Sequence, residues 1–337
     1  SGSRAVAARI CLQLPWNPDG IGEFVSLARC ADEAGVDSLW VNEGFGHDAF
    51  SGLAILARET SRVRLGTSIV NVYSRTPGAL AQHFATIDQL SGGRVIVGLG
   101  ASAPGVVERF HGVRYTPPLA RLRETAELLR AYWRKERFDH DGPVFHVERS
   151  LELGASPVQA TPPVFLATMA PASVELTGKI GDGWLPAWIP RSRLGSEIKT
   201  VRDAAERARR PRDAVTVRSP SAVTVAANEE TAERVRQQQA ATLAFFVARN
   251  GEFYFNQFCR QGLEDEAHRI RDAWASGGPQ AAAAAVPFEM AAEFGFVGHV
   301  DACRERIADE SLAGVDLHTV SLAGFADEQR REVLAAL

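Results

Sequence analysis

Residues able to hold or move a proton collect in short polar stretches just past apolar segments. Asn42, Glu43, His47 and Asp48 follow SLWV, and Asn71, Tyr73 and Arg75 follow VRLGTSIV. A side chain placed this way can give or take a proton beside a reacting carbon. Glu43, His47, Asn71 and Tyr73 are the candidates for catalysis, with His111 beside them. Glu43 ranks first because it stands at the end of its strand; its competing role is a structural carboxylate paired with an arginine. A lone loop histidine such as His47 or His111 is more often structural than catalytic, although loops carry function.

The stretch Thr168-Met169-Ala170-Pro171-Ala172-Ser173 suggests a different chemistry. Pro171 suits the first turn of a helix, where its missing N–H costs nothing. The N–H groups of Ala172 and Ser173 would then point outward and attract an anion such as a cofactor phosphate. Equally, water and a Ser173 cap could satisfy this helix start. Gly98-Leu99-Gly100-Ala101-Ser102-Ala103 has the form G-x-G-x-x-A. No strong helix begins there, and no acid-ended strand follows promptly, so a dinucleotide fold is set aside. The sequence has no HExxH and no Gly-x-Ser-x-Gly, and its eight histidines show no metal spacing, so no metal site is expected.

The elements that must position these groups alternate regularly. Apolar segments near residues 10, 40, 66, 97, 166, 186, 218 and 319 read as strands: ARICLQL, SLWV, VRLGTSIV, RVIVGLG, PVFLAT, Trp184-Leu185, AVTVRSPSAVTVA and LHTVSL. Most are apolar throughout, as in parallel strands buried on both faces. Residues 22–34 and 119–138 have helical spacing. Ala34-Gly35-Val36-Asp37 and Ala313-Gly314-Val315-Asp316 both lead into strands, and Lys179-Ile180-Gly181-Asp182-Gly183 is similar. Gly35 reads as a helix C-cap. Eight strands alternating with helices predict an α/β fold, an eight-fold β/α (TIM) barrel forming a single domain over residues 1–337, with its site at the carboxyl ends of the strands. Between the seventh and eighth strands, residues 228–297 read as a helical insertion, with helices over 230–247, 263–274 and 280–286, forming a lid or part of a subunit interface.

Composition narrows the function classes. The chain has 337 residues and a formal net charge of -4, which argues against a nucleic-acid partner held by bulk charge. No apolar run is long enough to span a bilayer. Ser1-Gly2-Ser3 resembles an expression scar, and no signal-peptide pattern follows it. Cys11, Cys30, Cys259 and Cys303 are scattered, as expected of reduced thiols in a cytoplasmic protein. A small-molecule substrate and a homodimer complete the expectations.

The run LGTSIVNVYSRTPGALAQHFATIDQLSGGRVIVGLG resembles the core signature of luciferase-like flavin and deazaflavin oxidoreductases, which are eight-fold barrels. Ser91-Gly92-Gly93-Arg94 and Gly181-Asp182-Gly183-Trp184 are also typical, and the resemblance covers nearly the whole chain. NEGFGHDAFSGLAILA, PGVVERFHGV and FYFNQFCRQGLEDEAHRI through AAAAVPFE look closest to the actinobacterial branch that uses the deazaflavin coenzyme F420. This resemblance implies a cofactor phosphate at the helix start near Ala172 and Ser173. It also implies a non-prolyl cis bond at Ser68–Ile69 behind the ring, and a cofactor seat at Ser68, Ile69, Ala101, Ser102, Ala103, Thr168, Met169, Ala170, Ala172 and Ser173.

The departures are informative. Gly44 stands where the family's sugar-phosphate dehydrogenases have a catalytic histidine, and Ala103 where they have a proton-donating glutamate. The chain is therefore not expected to be that dehydrogenase. The leading expectation is an F420-dependent reductase that delivers hydride to an activated C=C, C=N or C=O of a small organic substrate. The alternatives are a monooxygenase using reduced FMN, and a flavin- or deazaflavin-binding protein without turnover. Trp16, Phe45, Tyr73, Trp184, Trp188, Phe253, Tyr254 and Phe255 are candidates for an aromatic mouth.

Overall fold

Apolar runs without alternation become parallel strands buried along their length, and every predicted strand position carries one. The computed structural model describes residues 8–337; the Ser1-Gly2-Ser3 start lies outside the described residues. The strands at those positions are Ile10–Leu14, Ser38–Val41, Arg64–Thr67, Val95–Gly100, Val164–Ala167, Gly183–Trp184, Thr216–Val217 and His318–Ala323. No helix among the described residues is long and apolar enough to cross a membrane.

One compact unit comprises Leu12–Leu185 and Val201–Val215. Its strands Ser38–Val41, Arg64–Thr67, Val95–Gly100, Val164–Ala167 and Gly183–Trp184 lie side by side in that order, all parallel. Between them run the helices Ala49–Glu59, Pro77–Ser91, Pro118–Trp133 and Pro171–Ile180. Their starts and stops follow local chemistry. The Asp48 carboxylate caps Ala49–Glu59, and Thr76 with Pro77 opens Pro77–Ser91. Gly35 ends Ile21–Ala34 in the left-handed conformation at φ 79°. At the amino ends of the strands, Arg94 gathers the carbonyls of Ala57, Thr60, Val63 and Ser91. That gives the Ser-Gly-Gly-Arg run a structural role, tying helix ends to strand starts.

The second unit comprises the described residues before Leu12, Pro186–Thr200 and Thr216–Leu337. Val223–Ala226 pairs in parallel with His318–Ala323 on one side and with Phe296–Gly298 on the other. The insertion helices Glu229–Ala248, Glu252–Arg260, Glu264–Ala284 and Phe288–Phe294 share a core that includes Leu243, Val247, Phe258, Ile270 and Phe294.

Several boundaries differ from expectation. The segment 214–226 is two strands rather than one, divided at Arg218-Ser219-Pro220. The helix expected over 119–138 ends at Trp133, and Lys135 has positive φ. An antiparallel hairpin of His140–Asp141 and His146–Val147 follows it. Gly181 is extended, unlike Gly35 and Gly314. The helices expected over 263–274 and 280–286 form one run broken at Gly278, φ 73°. The insertion also closes on the strand Phe296–Gly298, which was not expected.

Candidate functional site

The strand expected over Val63–Val70 breaks at Ser68–Ile69, where the peptide bond is cis, as the resemblance implied. Val70–Asn71 then resumes pairing against Leu99–Gly100. The bulge is tied on both sides: Ser68 N donates to Val41 O at 2.8 Å, Glu43 N to Ile69 O at 3.2 Å, and Val72 N to Gly100 O at 3.0 Å. The Thr67 hydroxyl donates to Gly98 O at 2.8 Å and accepts from Gly98 N at 2.9 Å. A Cβ on Gly98 would fall 1.6 Å from Thr67 O, so only glycine fits. A Cβ on Gly100 would meet Ile69 Cδ1 at 2.9 Å and Ala167 Cβ at 3.4 Å. Ser68, Ile69, Ala101, Ala103 and Met169 are all half-buried, beside strand interiors that are fully buried.

Asn71 is 1% exposed and organises the next loop. Its Oδ1 accepts from Tyr73 N at 2.9 Å and Ser74 N at 2.8 Å, which fixes the amide orientation. Nδ2 therefore faces His111 Nε2 as a donor, at 3.2 Å. In this geometry Nε2 is the acceptor and the ring proton sits on Nδ1. Tyr73 is 5% exposed, and its hydroxyl has no partner among the described residues. Burial pushes its phenol above the usual range, against the Arg121 charge. The Arg121 guanidinium lies between the Tyr73 and Phe145 rings, 4.6 and 5.0 Å from their centroids. Tyr115 stacks on Tyr73 at 5.1 Å and donates from its hydroxyl to Ser102 O at 3.1 Å. Ser102 itself has φ 59°, in the left-handed region.

Glu43 is locked in place. Arg75 donates to both of its oxygens, at 2.6 and 3.0 Å, and Ala49 N adds a third bond at 2.9 Å. A carboxylate held in this bidentate way accepts at both oxygens and has little freedom to turn toward a substrate. The geometry is that of the competing structural role. Arg75 also donates to Ser74 Oγ, which donates to Asn71 O, so Glu43 braces the Asn71 loop. Burial pushes the Asp48 carboxyl up, but hydrogen bonds from Ser51 and the Arg75 charge outweigh it and hold the group below the usual range. His47 is exposed, its ring edge-on to Trp16 at 6.3 Å, and it makes no hydrogen bond among the described residues.

At the Pro171–Ile180 helix start, Ala170 O accepts from Ser173 N, Ser173 Oγ and Val174 N. This corrects the expectation for Ser173, whose N–H points inward. The N–H groups of Met169, Ala170 and Ala172 have no partner among the described residues. Thr168 lies deeper, its hydroxyl 2.7 Å from that of Thr177.

The aromatic mouth also needs correction. Trp184 is fully buried in its strand and donates to Thr168 O. Phe255 is buried in the insertion core under Arg271, and Trp188 packs in the second unit with Phe246 and Phe258. Phe45 and Phe110 are open rings, 72% and 56% exposed and 6.3 Å apart, with His111 4.9 Å from Phe110; Phe253 is also exposed, in the second unit. Arg121 and Tyr115 are the residues that sequence reasoning missed; their only signal was proximity to PGVVERFHGV.

A parallel-stranded frame, a cis bulge and unpaired N–H groups at the strand ends provide the setting for the comparisons. The luciferase-like monooxygenase family profile matches residues 6–317. A Mycobacterium tuberculosis protein bearing the name coenzyme F420-dependent oxidoreductase is 32% identical over 96% of each chain. The 5,10-methylenetetrahydromethanopterin reductase of Archaeoglobus fulgidus is 27% identical over 87% of each. The coenzyme F420 dependent tetrahydromethanopterin reductase of Methanopyrus kandleri superposes with TM-score 0.81 at 21% identity, covering 98% of this chain and 97% of that one, and so shares the fold. The α/β fold anticipated from the strand rhythm is the fold found, and the chain belongs to the luciferase-like monooxygenase family.

Proposed function

We propose that the protein is an F420-dependent oxidoreductase acting as a reductase on a small organic molecule with an activated C=C, C=N or C=O bond. The observation that carries this reading is a half-open seat at Ser68, Ile69, Ala101, Ala103 and Met169, backed by Gly98 and Gly100, where a side chain would not fit. A Cβ at Gly100 would crowd that seat, and the free N–H groups of Met169, Ala170 and Ala172 suit an anionic phosphodiester, so the residues fit a planar ring with a charged tail. The name of the Mycobacterium tuberculosis relative supports the same cofactor. Bound there, the reduced deazaflavin supplies a hydride.

The chain's own residues supply the rest. Asn71 holds His111 through Nε2 and leaves Nδ1 to hydrogen-bond the carbonyl or imine of a substrate. Glu43 and Arg75 hold the loop that carries Asn71. The rings of Phe45 and Phe110 offer apolar surface beside His111.

Anaerobic titration with F420 and FMN tests the reading. Saturable F420 binding with FMN at least about 100-fold weaker, followed by oxidation of reduced F420 on a panel of enones, imines and ketones, is the expected result. Tight FMN binding with oxygen consumption would replace it with the monooxygenase. F420 binding without turnover across the panel would leave a cofactor-binding protein.

A further inference from the structure

The second unit contains a cavity of about 230 Å³ whose lining includes Trp188, Leu243, Phe294, Gln238, Gln239 and Thr242. None of its lining residues carries a charge. We propose that it is a binding site for a neutral, ring-shaped molecule bearing a carbonyl or amide group. The proposal does not depend on the cofactor reading above.

The apolar wall is a cluster of packed aromatic rings. Trp188 stands 4.5 Å from Phe246, 5.8 Å from Phe258 and 6.3 Å from Phe294, centroid to centroid. Its backbone has φ 53°, which a bulky residue rarely adopts and which the surrounding packing must enforce. Such outliers cluster where a side chain has to be aimed at a ligand.

The polar side lies at the open edge of the cavity, where Gln238 and Thr242 are exposed and Gln239 is half-buried. The Gln238 and Gln239 side-chain amides have no partner among the described residues. The Thr242 hydroxyl donates to Gln238 O, leaving its oxygen as an acceptor facing the cavity. Gly295 lets Gln239 lie close: a Cβ there would stand 3.0 Å from the amide carbon. The site therefore offers donors and acceptors along one edge and aromatic surface on the other.

Size and charge set the ligand class. The volume corresponds to about eight waters at ~30 Å³ each. Waters against Trp188, Leu243 and Phe294 would lack partners, so a flat apolar body displaces them favourably. An ionised ligand would lose part of its hydration with no opposite charge in the lining, which favours a neutral ligand over a phosphate or carboxylate. A molecule of one or two rings whose carbonyl or amide pairs with Gln239 satisfies all these constraints.

Benzamide, benzoate and ethylbenzene are the probes, titrated against the full chain by saturation-transfer NMR and intrinsic tryptophan fluorescence without cofactor. Benzamide should bind with Kd near or below about 1 mM, and benzoate, of the same shape but charged, at least about 10-fold more weakly. Ala291→Phe, at another lining position, fills the cavity and should weaken benzamide about 10-fold or more. Gln239→Leu, close to isosteric and partly exposed, should weaken benzamide about 5-fold and leave ethylbenzene unchanged. Benzoate binding as tightly as benzamide, no saturable benzamide binding, or benzamide binding indifferent to Gln239→Leu would each overturn the proposal. The Gln239 variant keeps the test decisive if Ala291→Phe fails to fold.

Discussion

Asn71 Nδ2 donates to His111 Nε2 across 3.2 Å, and the two backbone N–H groups that bind Asn71 Oδ1 leave no alternative orientation of the amide. The histidine is thus anchored at Nε2, and Nδ1 is left as the donor. His111→Gln should lower kcat about 100-fold with the F420 dissociation constant within about 2-fold of wild type. Asn71→Leu should do the same and also lower Tm, because it leaves the Tyr73 and Ser74 N–H groups unpaired. Stopped-flow turnover and cofactor titration check both; an unchanged kcat in His111→Gln would remove His111 from the reaction.

Glu43 gives the opposite pattern. Its carboxylate is held by both Arg75 nitrogens and by Ala49 N, and its side chain is 7% exposed. Glu43→Ala strands a partly buried guanidinium and should destabilise the fold by on the order of 2 kcal/mol. Its pH–rate profile should keep the wild-type shape. Chemical denaturation and a pH series separate the two roles: loss of one limb of the profile would restore Glu43 as the acid or base.

At the helix start, stability and binding should move in opposite directions. Ala170 is the N-cap of Pro171–Ile180 and makes no side-chain cap bond. Ala170→Asp supplies that cap and should stabilise the protein by about 1 kcal/mol. The same carboxylate occupies the N–H groups of the first turn, so F420 binding should weaken about 10-fold or more. Differential scanning calorimetry paired with cofactor titration checks this; a raised Tm with unchanged F420 affinity would move the phosphate away from this helix.

Much of this was legible in the sequence where a single physical rule dominates. Unbroken apolar runs gave the strands, and Gly35 gave a helix end. The cis bond at Ser68–Ile69 was visible only through resemblance, since nothing in Thr67-Ser68-Ile69-Val70 marks it locally. Other features depend on partners distant in sequence. The Glu43–Arg75 clamp joins residues 32 apart, and no local pattern distinguishes it from a free catalytic carboxylate. Trp184 reads as a mouth residue until its indole N–H is found bonded to Thr168 O inside the core. Pro220 should have signalled the split of 214–226, because proline cannot donate within a central strand.

The cysteines allow a chemical check. Burial pushes the Cys303 thiol up to about 11, and its Sγ lies 3.4 Å from Thr224 O and 3.5 Å from Gly298 O. Cys11 is also buried, while Cys30 and Cys259 are half-exposed. An aromatic disulfide reagent at pH 8 should therefore label Cys30 and Cys259 in the native protein, and all four only after unfolding. A thiol whose folded value is raised contributes stability that is lost as pH climbs above the unfolded value near 9. Cys303→Ser should flatten that alkaline decline, and native labelling of Cys303 at pH 8 would contradict its burial.

Asp32 should govern part of the acid limb of stability. Burial pushes its carboxyl up, but the N–H groups of Val63, Ser61 and Arg62 and the Ser61 hydroxyl more than offset this and hold it below its usual 3.8. These bonds fasten the end of Ile21–Ala34 to the start of Arg64–Thr67. A depressed carboxylate contributes stability above its unfolded value and loses it as pH falls through the folded one. Asp32→Ala leaves those donors unpaired and should cost on the order of 3 kcal/mol at pH 7. The gap between wild type and variant should narrow as pH falls below about 4, where the unfolded chain takes up the Asp32 proton before the folded one does. Urea unfolding of both proteins from pH 7 to pH 3 measures it, and a gap independent of pH would mean that Asp32 acts through packing rather than through its charge.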